Sequence, residues 1–126
     1  MKLRILDDSL RLRLAQGEVA ELRDREVVTA AIHFPGENIL FYRVRAGEVA
    51  SLEAHFTEGT ITLVVPRSAL FAWADGEAVS LLGEQSLPGG RTLRLLLEKD
   101  FKCLAERPHE DESDLYPHPK EGGMKC

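Results

Sequence analysis

The sequence has few of the features that mark disulfide-rich, membrane or secreted proteins. Only two of its 126 residues are cysteines. Cys103 and Cys126 are far apart and form no C-x-x-C pair, so we expect a reducing cytosol to keep them as thiols. No apolar run approaches the roughly 20 residues of a membrane-spanning helix. The stretch from Met1 to Asp8 carries charges where a signal peptide would be apolar. We therefore expect a cytoplasmic protein that does not bind membranes.

Positive charge is not in excess. The chain has 16 Lys and Arg against 21 Asp and Glu, a net charge of -5. Nucleic-acid binding needs a concentrated positive surface, so this balance disfavours it and leaves a nucleic-acid-binding module as a secondary alternative. What is present is typical of a soluble globular chain, with 44% apolar and 29% charged residues. The length fits one domain of ordinary size.

The two halves of the chain resemble each other when one is shifted by 51 positions without a gap. A period-two stretch, a helical spacing and a second strand-like stretch recur in the same order. The clearest matches place Leu10, Leu12, Leu14 and Leu22 on Ile61, Leu63, Val65 and Trp73. The pattern predicts an internal duplication, with units at about 1–49 and 52–100.

Each unit is predicted to contain two strands, a short helix and two further strands. The strands are expected at 2–6, 9–14, 27–34, 39–45, 51–56, 60–65, 78–82 and 92–98, and the helices at 17–25 and 67–74. Two ββαββ units predict an α+β protein whose apolar faces pack together. The expected architecture is an antiparallel β-barrel or, as the alternative, a two-layer sheet.

Residues 1–100 are therefore predicted to form one domain, and 101–126 an irregular tail. Pro108, Pro117 and Pro119 interrupt this tail, and residues 109–114 are mostly acidic. No strand or helix period extends into it. It is interpreted as a solvated tail, a strap on the domain or a docking segment for a protein partner.

Alternating arginines suggest an anion-binding surface. The residues concerned are Arg4, Arg11, Arg13, Arg43 and Arg94. Arginine suits phosphate and carboxylate through its planar fork. If these residues lined a wide barrel, with Glu53 or Glu98 as ligand for a divalent ion, the arrangement would resemble the triphosphate-tunnel enzymes. However, the strict apolar parity of Leu10, Leu12 and Leu14 favours leucines inside and arginines outside.

The tail also concentrates side chains that bind soft metals. The predicted ligands of a zinc or copper site are Cys103, His109, His118 and Cys126. Their spacing matches no recognised ligand motif, and the alternative interpretation is an acidic tail without a metal. No pattern identifies catalytic residues, because no serine lies in a G-x-S-x-G motif.

Two groups of motifs carry a resemblance to known families. LRI at 3–5 with DSLRLRL at 8–14, and LEKDFKCL at 97–104 with EDESDLYPHP at 110–119, resemble a family of short bacterial proteins of unknown function. Val65-Pro66-Arg67 and Asp75-Gly76-Glu77 resemble the half-barrel of swapped-hairpin antitoxin and transition-state regulators. The second resemblance implies DNA binding, which the net charge disfavours.

The leading functional hypothesis is a small binding or accessory protein, a monomer or homodimer, rather than an enzyme. It would act through a metal or a protein partner bound by the tail. The main alternative is an enzyme or binder that recognises a phosphate-rich small molecule through the strand arginines.

Overall fold

The computed structural model describes residues 1–101. In this part of the chain, alternating apolar stretches form eight strands, and two short helices follow the second and sixth of them. The elements are β1 (Lys2–Ile5), β2 (Ser9–Leu14), α1 (Gln16–Arg25), β3 (Val27–Phe34), β4 (Asn38–Gly47), β5 (Glu53–Thr57), β6 (Thr60–Pro66), α2 (Arg67–Asp75), β7 (Ser80–Ser86) and β8 (Thr92–Lys99), with a 3₁₀ turn at Pro88–Gly90. The predicted bounds differ from these by a few residues at most.

The strands form two four-stranded sheets within residues 1–101. Sheet A has the order β1-β2-β8-β7, and sheet B has the order β3-β4-β6-β5. The two-layer alternative is therefore confirmed, and the predicted closed barrel is wrong. Each sheet combines one hairpin from each half of the chain. The central pairs, β2 with β8 and β4 with β6, are parallel, so the prediction of purely antiparallel sheets is also wrong.

The strand registers define the central pairs of each sheet. Leu12 pairs with Leu97 in sheet A, and Leu63 pairs with Val44 in sheet B. Leu12 and Leu63 differ by 51 positions, whereas Val44 and Leu97 differ by 53. The separation of equivalent central positions therefore changes from 51 to 53 after the helices, and the internal duplication stays a prediction. Residues 76–79 separate α2 from β7, whereas only Glu26 separates α1 from β3.

The core lies between the two sheets and beneath the helices. Leu12 and Leu14 of β2 are each 1% exposed, which confirms that the leucines face inward. Other large apolar side chains of this core are Leu22, Val28, Val44, Leu52, Leu63, Val65, Leu70, Trp73, Leu95 and Leu97. Burial of each such side chain contributes about 1.5 to 3 kcal/mol.

Both helices lie at the end of the molecule where β2 and β6 finish, and each inserts an apolar anchor into the core. Leu22 of α1 and Trp73 of α2 are almost fully buried. The Trp73 Nε1–H donates to the carbonyl of Val79 at 2.9 Å, which fixes the entry into β7. At the start of α1, the Ala15 N–H donates to Glu18 Oε1 at 2.8 Å. No helix among residues 1–101 is long and apolar enough to cross a membrane.

Candidate functional site

The outward side of sheet A carries most of the predicted arginines. Because side chains alternate along a strand, the residues opposite the buried leucines of β2 and β8 share one face with their cross-strand neighbours. We call this surface the basic face. Its charged members are Lys2, Arg4, Arg11, Arg13, Arg94, Glu84 and Glu98. Asp100, which follows β8, lies 2.8 Å from Lys2 Nζ and adds a third carboxylate. Five cations against three carboxylates still give this face a positive charge in a chain whose net charge is negative.

One end of the basic face is an ion cluster around Glu98. This carboxylate is only 6% exposed. Arg13 Nε bonds to Glu98 Oε1, and Arg11 Nε lies 3.1 Å from the same oxygen. Ser80 Oγ donates to the other carboxylate oxygen at 3.5 Å. The cluster compensates the charge of Glu98, because burying an unpaired carboxylate would be strongly unfavourable.

Beside this cluster lies an open groove of about 740 Å³. Arg4, Arg11 and Arg94 line it from three different strands. Leu82 and Leu96 form part of its floor, and Glu84 lies at the β7 side. Leu82 is 79% exposed, so its side chain is accessible to a ligand. The groove thus combines guanidinium groups with apolar surface.

The fifth predicted arginine is elsewhere. Arg43 belongs to β4 and faces outward from sheet B, where its Nε donates to Thr62 Oγ1 at 2.9 Å. Arg43 therefore does not share a face with Arg4, Arg11, Arg13 and Arg94. The cause is that each sheet combines one hairpin from each half of the chain. This arrangement places β4 in a different sheet from β1, β2 and β8.

The predicted metal ligands Cys103, His109, His118 and Cys126 all lie outside the described residues. Between residues 1 and 101, no group of three His, Cys, Asp or Glu side chains is arranged to hold a metal ion. Glu53 and Glu98, the carboxylates considered for a divalent ion, belong to different sheets. Glu98 is part of the ion cluster with Arg11 and Arg13.

Sequence reasoning missed the apolar part of the groove and the pairing role of Glu98. Parity alone could have placed Leu82 and Leu96 outward, once β7 and β8 were assigned to sheet A. The position of Glu98 opposite Arg13 follows from the parallel pairing of β2 with β8. No local sequence pattern specifies that pairing.

The family model that matches this chain covers residues 1–120 and is described as a family of unknown function, DUF7009. The chain belongs to this family. The match confirms the resemblance to an uncharacterised family. DUF7009 has no activity in its description, so the site must be interpreted from its own chemistry. No curated protein and no solved structure matches the chain.

Proposed function

We propose that this protein is a small cytoplasmic binding protein, rather than an enzyme, which holds a phosphate-bearing small molecule on the basic face. The observation that carries the proposal is the convergence of Arg4, Arg11 and Arg94 on one groove. Guanidinium groups bind phosphate oxygens through paired, charge-assisted hydrogen bonds. Three strands supply the three groups, so their spacing is set by the sheet and not by a loop.

The like charges of the groove also favour an anionic ligand. Arg4 and Arg11 are direct cross-strand partners in β1 and β2. Such partners have Cβ atoms about 5 Å apart, and like charges at that distance destabilise a sheet. Arg4 and Arg94 form no ion pair with any residue of the described part of the chain. Arg11 is already beside Glu98, so an anion bound in the groove would chiefly compensate the charges of Arg4 and Arg94.

The two leucines narrow the class of ligand. Leu82 and Leu96 are direct partners across β7 and β8 and adjoin the arginines of the groove. Inorganic phosphate would leave this apolar surface in water, whereas a phosphate ester could cover it with a ring or a chain. The groove therefore supports a phosphate ester with an apolar or aromatic part.

Isothermal titration calorimetry with three probes tests the proposal. Adenosine triphosphate, inorganic tripolyphosphate and citrate should be titrated at low ionic strength, because salt screens exposed charges. We expect adenosine triphosphate to bind most tightly, as it offers both phosphates and a ring. Arg4→Gln and Arg94→Gln should each weaken its binding about tenfold, which corresponds to about 1.4 kcal/mol.

Arg43→Gln is the matched control, because Arg43 has the same side chain on the other sheet. The affinity of Arg43→Gln for adenosine triphosphate should equal that of the unaltered protein. Equal losses in Arg43→Gln and Arg94→Gln would contradict the proposed site, as would the absence of binding by all three probes. Tighter binding of citrate than of tripolyphosphate would assign the groove to carboxylates instead.

We also infer that the two ββαββ units derive from one duplicated unit. If β1–β4 are exchanged with β5–β8 in order, the strand order of sheet A, β1-β2-β8-β7, becomes β5-β6-β4-β3. This is the order of sheet B counted from its other edge, so the exchange leaves the arrangement of strands unchanged. The equivalent anchors Leu22 and Trp73 support the same inference. The basic face has no counterpart, since Arg4 and Arg11 correspond to His55 and Thr62 on sheet B. We therefore attribute the anion site to one sheet only.

A further inference from the structure

The space between the two sheets is filled at one end and open at the other. The helices close it where β2 and β6 finish. At the opposite end lie the four hairpin turns, which we call the turn end. Here a cleft of about 390 Å³ enters between the sheets. Its lining is mainly apolar and consists of Leu10, Leu40, Ala54, Phe56, Ile61 and Leu93, with Asp7 and His55.

Exposed apolar side chains extend the cleft onto the surface. Ile5, Ile32 and Phe56 are between 46 and 69% exposed. Each is the cross-strand partner of a residue that lines the cleft, namely Leu10, Leu40 and Ile61 respectively. Cleft and exposed residues therefore form a continuous patch. Large apolar patches of this kind mark sites of interaction with other molecules.

The β3-β4 hairpin enlarges the patch. Pairing between β4 and β6 begins at Phe41, so residues 38–40 of β4 pair with β3 alone and extend beyond β6. Phe34, at the end of β3, is 50% exposed on this projecting tip. Because the tip has few neighbours within its own sheet, its apolar side chains are available to a partner.

Most charged side chains of the four turns beside the patch are acidic, and Arg91 is the cation among them. Asp7, Asp8, Glu37 and Glu58 lie in three of the four turns. Asp8 is 3.6 Å from Arg91, whereas Asp7, Glu37 and Glu58 form no ion pair within residues 1–101. A second copy of this chain would bring two acidic rims together, and such like charges disfavour association. Charge complementarity favours a basic partner.

We propose that the turn end is a docking site for a peptide segment of a partner protein, in which large apolar side chains are flanked by lysine or arginine. The cleft is near the lower limit of the volumes found for ligand sites, so a short segment with few apolar anchors fits it. Phe34 and Phe56 would contact those anchors, and the acidic turns would attract the basic flanks. Leu10 borders both this cleft and the groove of the basic face, but Phe34 and Phe56 do not line that groove.

A pair of fluorescently labelled peptides tests this site. One is a 12-residue peptide of alternating leucine and lysine, and the other has glutamate in place of lysine. Fluorescence anisotropy with the full chain should show binding of the lysine peptide at least tenfold tighter than that of the glutamate peptide. Phe56→Ser should weaken binding of the lysine peptide at least tenfold. Glu58→Lys should also weaken binding of this peptide, because it reverses an acidic charge of the turn end.

Leu82→Ser is the matched control, because it removes another exposed apolar side chain, on the basic face. It should leave peptide binding unchanged, as should Arg94→Gln. Circular dichroism must show that Phe56→Ser is folded, and Phe34→Ser provides a second variant if it is not. Equal affinity for both peptides, or an equal loss in Leu82→Ser, would overturn the proposal. A concentration-dependent dimer in sedimentation that Phe56→Ser abolishes would also overturn it.

Discussion

At the scale of single residues, the alternation along β2 separates structural from functional side chains. Leu12 and Leu14 point into the core, while Arg11 and Arg13 point to the basic face. This division was predictable from the sequence, because period two fixes which residues share a face. The use of each arginine was not predictable. Arg13 is held by Glu98, which is 85 positions away in the sequence.

The inward position of Leu12 leads to a stability prediction. Leu12→Ala should lower the free energy of unfolding by about 2 to 5 kcal/mol, because it removes a fully buried side chain and leaves a cavity. Urea denaturation followed by circular dichroism measures the change. In Leu82→Ala the same substitution is made at an exposed position of sheet A. It should change the stability by less than about 0.5 kcal/mol. Similar losses in both variants would show that Leu12 does not form part of a packed core.

At the scale of the elements, local signals predicted the strands and helices well, but not their partners. The alternation in residues 9–14 and the turn at Pro35-Gly36 are local features, so the bounds of β2, β3 and β4 came close to those observed. The pairing of β2 with β8 joins residues about 85 positions apart. Nothing in either strand distinguishes that partner from β4. For this reason the sequence alone groups Arg43 of sheet B with the arginines of sheet A.

The contact between β5 and β7 provides a prediction about how the sheets meet. The Ala54 N–H donates to Gln85 Oε1 at 2.7 Å, and a Cβ at Gly83 would lie 2.7 Å from the Cβ of Leu52. Gly83→Ala should therefore destabilise the protein by about 1 to 3 kcal/mol through overpacking. Thermal unfolding by differential scanning calorimetry would measure the loss.

Gly17 is the control for this substitution. It lies in the first turn of α1, and an added Cβ would contact nothing within 4 Å. Gly17→Ala should therefore stabilise the protein by up to about 1 kcal/mol, since alanine favours the helix and restricts the unfolded chain. A gain in stability at both glycines would mean that the sheets separate easily at the β5-β7 contact.

At the scale of the whole molecule, the exchange of hairpins makes each half dependent on the other. Sheet A takes β1 and β2 from the first half and β7 and β8 from the second, and sheet B divides in the same way. The core mixes the halves too, because Leu12 and Val44 pack with Leu63, Leu95 and Leu97. The similarity of the halves could be read from the sequence. The exchange could not, because it is determined by contacts between distant strands.

This dependence predicts the behaviour of a chain divided between β4 and β5. The fragments 1–49 and 50–126 each lack half of both sheets, so neither should show a cooperative thermal transition as a monomer. An equimolar mixture should regain the transition and form a 1:1 complex, because association restores every strand pair between the halves. Circular dichroism and native mass spectrometry measure the two properties. A homodimer of 1–49 alone would indicate that one unit can exchange hairpins with itself, as the inferred duplication requires. A cooperative monomeric transition in either fragment would contradict the dependence, because that half would then complete its sheets without the other.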